Sequence, residues 1–436
     1  MNGIFFAIIL IAFIVGGYRQ LTWQPAGPDD TSPMDALTAG AIDSAGASVE
    51  LAIGLVGVMA LFLGLMKVAE AGGLLVIIAR TMRPLMMRLF PDVPADHPAM
   101  GAMILNLSAN VLGLGNAATP FGIRAMQELD KLNRHKGTAT NAMALFLAIN
   151  TSSVTLLPPG VIALRASLGS ADPAGIVPTT LVATICATAV AIVSAKLYQR
   201  MSALPEPSDA GDSTGDTEDA EVAADEGDES LQDAEAAYPA WVSVAALAAV
   251  ASLIPLTVLY GREIAPWIIP GLIVGLLGFG VLRRVRVYES FVEGAVEGFQ
   301  VALRIIPYLV AILVAVGMFR ASGAMTLLIQ PLGQVTGLFG LPPEALPMAL
   351  MRPLSGSGAY GLMASIMQDP AIGPDSYTGY LVSTLQGSTE TTFYVLAVYF
   401  GAVQVRRIRH ALAAGLTADL AGIVAAVAIC SYLFVA

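Results

Sequence analysis

Asparagine is concentrated where the chain is most apolar. Of seven asparagines, six lie between Asn106 and Asn150 and none follows. Asn106, Asn110, Asn116 and Asn150 fall inside strongly apolar stretches, where an unpartnered amide is costly. Asn110 and Asn116 bracket VLGLG, whose glycines allow a backbone to approach a ligand closely. Asn150, Thr151, Ser152 and Ser153 open the run NTSSVTLLPPG, in which Pro158 and Pro159 should unwind a helix. Unwound backbone at membrane depth frees carbonyls and amides to hold a cation or an anionic group. Helix-to-helix packing between small polar faces uses the same residues and is the alternative.

A second set lies downstream. The run QGSTETTFY contains Gln386, Ser388, Thr389, Glu390 and Thr391. Glu390 is the only carboxylate of its apolar segment, so it is a candidate proton carrier, sodium ligand or acceptor for substrate. It could instead serve as a structural partner for Arg352. That arginine stands in MRPLSGSG, just before Ser355 and Ser357. Facing a cavity, it would favour a carboxylate or phosphate group. Facing outward, it would snorkel to headgroups. Asp419, in LTADLAG, reads as a structural partner for a nearby threonine, with a second titrating site as the alternative.

These residues need helices to hold them. The chain has 436 residues, 56% hydrophobic and 13% charged, which fits an all-α polytopic membrane protein. Nine spans are expected, near 2–18, 48–70, 138–157, 174–199, 239–260, 265–283, 299–321, 379–402 and 410–435. The apolar stretches 97–131 and 344–368 each carry a Gly/Ser/Asn break and read as re-entrant helical hairpins. Basic residues flank the first hairpin on both sides. Beside the second stand Glu344, Asp369 and Asp375. The first therefore enters from the cytoplasmic face and the second from the opposite one. The resulting topology puts the N-terminus inside and the C-terminus outside a bacterial cytoplasmic (inner) membrane. It divides Lys and Arg 17 to 5 in favour of the cytoplasm.

The chain also repeats itself. GLMKVAEAGGLL from Gly64 is echoed by GMFRASGAMTLL from Gly317, and NLSAN and NTSS find echoes in PLSGS and GSTE. Residues 1–200 and 261–436 read as two repeats. The additional span at 239–260 should invert the second relative to the first. Segments 34–47 and 285–298 are expected as short interfacial helices, and 73–90 as an amphipathic helix kinked at Pro84.

Residues 201–238 account for more than the whole formal charge of −11: thirteen acidic residues stand there with no Lys or Arg, which leaves the rest of the chain near +2. That composition predicts a disordered cytoplasmic linker. Cys186 and Cys430 read as buried free thiols. The apolar N-terminus, which has no basic n-region or cleavage site, reads as a retained span. P-loop, HExxH and GxSxG motifs do not occur, so nucleotide-driven transport, zinc proteolysis and serine hydrolysis find no support. His97, His135 and His410 stand at cytoplasmic span ends, which argues against a metal path. No cofactor, nucleic-acid partner or enzymatic activity is expected.

NLSANVLGLGNAATPFGIRAMQEL, from Asn106 to Leu129, closely resembles the signature of the bacterial spore maturation protein A family. RPLSGSGAYGLM from Arg352 and STLQGSTETTFYVLAVYFGAV from Ser383 closely resemble spore maturation protein B, so the chain looks like a fusion of the two. Both belong to the nucleoside recognition (Gate) group, similar to concentrative nucleoside transporters and to the membrane part of ferrous-iron transporter B. The resemblance implies an inverted-repeat transporter, often oligomeric, in which hairpin tips and unwound helices hold a nucleoside and a sodium ion. The matching positions are Ser108 and Asn110 with Asn150 to Ser153, then Ser355 and Ser357 with Gln386 to Thr392. The expected function is secondary transport of a small polar, nucleoside-like or carboxylate-bearing metabolite coupled to Na⁺ or H⁺. A lipid or cell-wall-precursor translocase and a non-transporting envelope scaffold are the alternatives.

Overall fold

A computed structural model describes residues 2–25, 30–202 and 238–434 of the chain. Most of the acidic linker lies outside the described residues. Among those described, the protein is helical, with one isolated bridge between Thr138 and Arg407. The first half comprises α1 (Asn2–Thr22), α2 (Pro33–Ala71), α3 (Leu74–Leu89), α4 (Pro98–Leu112), α5 (Gly115–Lys131), α6 (Asn141–Thr151), α7 (Pro159–Ser167) and α8 (Val177–Tyr198). The second half comprises α9 (Ala240–Leu282), α10 (Val287–Ala321), α11 (Ala324–Gly337), α12 (Leu346–Met351), α13 (Gly356–Gln368), α14 (Tyr377–Ser388), α15 (Thr392–Ala402) and α16 (Ala411–Phe434). Five helices, α1, α2, α8, α10 and α16, are long and apolar enough to cross a membrane unbroken.

Three expectations need correction. Cys186 is exposed on α8, and only Cys430 is buried. Segments 34–47 and 285–298 are not separate helices; they continue into α2 and α10, which run 39 and 35 residues. Capping starts α2 sharply, because Ser32 accepts from the Asp35 amide and Pro33 follows. Side-by-side packing then keeps both helices intact. A Cβ on Gly298 would lie 2.7 Å from Ala60 Cα, and one on Gly294 would lie 2.5 Å from Leu63 O. A Cβ on Gly40 would lie 3.0 Å from Ala321 Cβ. The partner number falls as the α2 number rises, so α2 and α10 run antiparallel in direct backbone contact. The register holds from Gly40 to Gly64, about 36 Å of helix.

The two spans expected at 239–260 and 265–283 form one 43-residue helix, α9. A straight helix of that length would reach about 65 Å. Both ends nevertheless sit beside α3: the Tyr238 amide donates to Arg80 O at 3.4 Å, and Arg283 Nε donates to Gly72 O at 2.8 Å. The two arms must therefore fold back, and Pro255, Gly261 and Pro266 lie between them.

Both expected hairpins are present as helix–turn–helix units. In the first, α4 turns at Gly113 and Leu114 into α5; in the second, α12 turns through 352–355 into α13. The limb α5 of the first ends beside the strap formed by Gly137–Ala139 and Arg406–Arg407, where Asn133 Nδ2 donates to Thr138 O at 3.0 Å. Past the second, Asp369 pairs with Arg320 at 3.2 Å and Asp375 with Arg165 at 3.0 Å. One apolar core forms around each hairpin. Met100, Ile104, Met126 and Phe146 fill the first; Leu309, Met363, Leu381 and Phe62 fill the second. Amphipathic α3 packs on α4 and buries Leu75, Ala79, Met86 and even Arg83, whose guanidinium donates to Ala95 O.

Candidate functional site

Two helices break at the centre of the fold. The path of α6 stops at Thr151 and resumes at Pro159; that of α14 stops at Ser388 and resumes at Thr392. Proline explains the first break and the extended backbone of Thr389 begins the second. The breaks touch: the Glu390 amide donates to Thr151 O at 2.7 Å.

Each hairpin tip seats on the nearer break. At the first tip, Leu156 N–H donates to Val111 O at 3.0 Å. Gly113 adopts a left-handed φ of 78°, and a Cβ there would fall 2.5 Å from Leu157 O. Only glycine meets both demands. At the second tip, Phe393 N–H donates to Pro353 O at 3.2 Å. Arg352 reaches the same break, donating through Nη1 to Thr391 Oγ1 at 3.0 Å and through Nη2 to Thr389 O. Its guanidinium also lies 3.6 Å from the Glu390 carboxylate. Arg352 is buried within the protein, whereas the Glu390 side chain is 55% exposed. The arginine is thus fixed in protein while the carboxylate looks onto open space.

The asparagines cluster as their distribution suggests. Asn110 Nδ2 donates to Asn150 Oδ1 at 3.0 Å, and Asn150 Nδ2 donates to Phe146 O. Asn106 Nδ2 donates to Ala118 O at 2.7 Å and to Tyr399 Oη at 3.2 Å. Tyr399, on α15, joins the group from the other half of the chain and stacks on Phe146. The carbonyl oxygen of the buried Asn106 side chain has no partner, nor does that of Gln386, whose Nε2 sits 3.5 Å from Gly356 O.

Other candidates divide by geometry. Thr151, Ser152, Ser153 and Ser388 are buried, and their hydroxyls donate back into the preceding helical turn. Such bonds satisfy a hydroxyl beside a break without aiming it at a ligand. Ser108 does the same to Ile104 O on the α3-facing side, away from the breaks. Ser355 caps α13 by accepting from the Gly358 amide at 3.0 Å. Ser357 is exposed on the first turn of α13. The Asn116 side chain lies outside the described residues. Thr392 lies at the end of the set Gln386 to Thr392 and joins the second break; Tyr399, further along the same apolar helix, has no local signal in the sequence. Asp419 does pair with a threonine, but with Thr392 on α15, whose Oγ1 donates to its Oδ2 at 2.6 Å; Thr417 beside it donates to Ala413 O instead.

A family model described as nucleoside recognition, Gate, matches residues 52–168 and 302–406, together about half of the chain. The chain belongs to the Gate family. Each matched stretch contains one hairpin and one broken helix, so the features the family description covers are those that meet at the centre. Among curated proteins, spore maturation protein B of Bacillus subtilis (strain 168) is 47% identical over 176 residues, which cover 39% of this chain and 98% of that protein. Spore maturation protein A of the same organism is 48% identical over 146 residues, covering 34% of this chain and 74% of that protein. An A/B fusion is consistent with these two partial matches. No solved structure matches the chain. Gate membership and the apolar helices together make this an integral membrane protein.

Proposed function

We propose that this Gate protein is a secondary transporter of a small polar metabolite, nucleoside-like or carboxylate-bearing, coupled to Na⁺ or H⁺. The observation that carries the reading is the meeting of the two breaks through Glu390 N–H and Thr151 O. Broken helices whose frayed ends converge at mid-membrane are how secondary carriers expose backbone groups to substrate and ion. Arg352 and Glu390 at one tip, with Asn106, Asn110 and Asn150 at the other, supply the side-chain polarity. The antiparallel contact of α2 and α10 supports reading residues 1–200 and 261–436 as inverted repeats, with the first arm of α9 as the inverting span. Transport would then proceed by alternating access about the repeat interface, in a bacterial inner membrane with the N-terminus inside and the C-terminus outside. A homo-oligomer in the lipid bilayer fits this reading, which requires no catalysis.

A second reading rests on one observation. Phe393 and Tyr394, next to Glu390, are 41% and 56% exposed. Apolar exposure beside a polar centre suits a lateral opening, hence a lipid or cell-wall-precursor translocase.

The deciding experiment is the melting temperature of the purified protein in Na⁺ or choline at several pH values, with nucleosides, carboxylates, amino acids and short-chain lipids. A ligand at about 100 times its Kd adds about 2.7 kcal/mol of stability. A shift from one soluble class, enhanced by Na⁺ or by pH, supports the transporter. A shift from lipids alone favours the translocase, and no shift from any addition overturns both.

A further inference from the structure

Asp419 lies on a face of α16 that docks against both breaks. A Cβ on Gly415 would meet Thr392 Cγ2 at 2.8 Å and Thr151 Oγ1 at 3.6 Å. One on Gly422 would meet Thr389 Cγ2 at 2.8 Å and Ser388 Oγ at 3.5 Å. Between these glycines Asp419 is 3% exposed. Its Oδ2 accepts from Thr392 at 2.6 Å, the Thr389 hydroxyl stands close enough to contribute, and its Oδ1 has no hydrogen bond. A buried carboxylate needs two or three donors or a paired cation to remain ionised. The neighbours of the flanking glycines are Thr151, Thr392, Thr389, Ser388 and Ala187, and the charge that reaches Asp419 is Arg352. Arg352 is incompletely used in turn: its buried Nε has no partner, and its ion pair with Glu390 is loose and opens to solvent.

Two unsatisfied groups of opposite character thus share one buried neighbourhood. We infer that Asp419 is the coupling-proton site and that Arg352 is its switch partner, exchanging between Glu390 when Asp419 is neutral and Asp419 when it is ionised. This inference rests on the transporter reading for the word coupling, but the site itself does not. The step is simple to balance. The Oδ1–H bond of Asp419 breaks, the proton passes to water in the opening beside Glu390, and the carboxylate left behind takes a hydrogen bond from Arg352 Nε. Because Arg352 stands in the turn of the second hairpin and holds Thr389 O and Thr391 Oγ1, that exchange moves the hairpin tip and the break together. Close docking around Gly415 and Gly422 favours a proton over sodium, which would need several more oxygens than the one free here.

Infrared difference spectroscopy of the full-length protein in liposomes, acidified through the neutral range in choline or Na⁺, tests this without any substrate. The wild type should gain the C=O stretch of a buried carboxylic acid. Asp419→Asn should lose that band and Glu390→Gln should keep it. Thr392→Val keeps the carboxyl but removes its donor, so the band should persist at higher frequency. A band that survives Asp419→Asn, or that vanishes only with Glu390→Gln, overturns the assignment. Suppression of the band by Na⁺ at fixed pH overturns the proton in favour of sodium. If no solute is transported yet the band behaves as described, the transport reading fails and the proton site stands.

Discussion

The Arg352 guanidinium is 6% exposed and the Glu390 carboxylate it faces, 3.6 Å away, is 55% exposed. The partners are unequal. Arg352 is held by Thr389 O and Thr391 Oγ1 whether or not Glu390 is charged. Glu390 gives a solvated charge to the pair, and such pairs contribute little.

The asymmetry predicts unequal costs. Glu390→Gln should lower stability in detergent by under about 1 kcal/mol. Arg352→Met should lower it by about 2–4 kcal/mol, since a buried carbonyl and a hydroxyl lose their donor together. Chemical denaturation or melting of the two variants, side by side, checks the ordering. Equal losses would mean that the ion pair, rather than the hydrogen bonds to the break, holds the tip.

Glycines along α2 and α10 separate contact from space. Gly298→Ala places a methyl 2.7 Å from Ala60 Cα and should cost about 1–3 kcal/mol, because backbone cannot give way. Gly57→Ala, on the same α2, meets nothing within 4 Å and should be neutral or stabilising by up to about 1 kcal/mol. Melting temperatures of the two variants should move in opposite directions or differ clearly in size.

His410 stands just before α16, 5% exposed, with neither ring nitrogen hydrogen-bonded. Burial, with Arg409 beside it, pushes its pKa down to about 4 from 6.5. The unfolded chain takes up a proton near 6.5 that the folded one refuses until about pH 4. Its contribution is therefore intact above pH 6.5 and is lost as pH falls towards 4, by about 3 kcal/mol. His410→Leu should flatten the fall in melting temperature over that window. An unchanged slope would place the acid sensitivity elsewhere.

Much of this centre was legible before the structure. Asparagines crowded into apolar sequence have few places to go, and the hairpins follow from a Gly/Ser/Asn break flanked by like charge. The double proline after NTSSVTLL marks the first break directly. Tyr399 was not legible, because its role arises from contact with Asn106, far away in sequence. Nor was the unpaired oxygen of Asp419, since the threonine beside it in sequence, Thr417, bonds elsewhere and its donor Thr392 comes from another helix. The long helices were misjudged for another reason. Pattern marks where apolar residues are dense, and α2 and α10 extend beyond that density because each packs along the other.

The antiparallel register makes the sharpest prediction about architecture. Gly40 Cβ would lie 3.0 Å from Ala321 Cβ, close to the spacing of a disulfide. In a background with Cys186 and Cys430 replaced by alanine, Gly40→Cys with Ala321→Cys should cross-link on mild oxidation and shift mobility on a gel after cleavage in the acidic linker. The control is Gly64→Cys with Gly317→Cys. These positions match each other in the internal repeat, yet antiparallel packing separates them by about 36 Å. Parallel repeats would bring the control pair together and the first pair apart. Cross-linking of the first pair alone is therefore the expected result, and cross-linking of the control would overturn the inverted arrangement of the two halves.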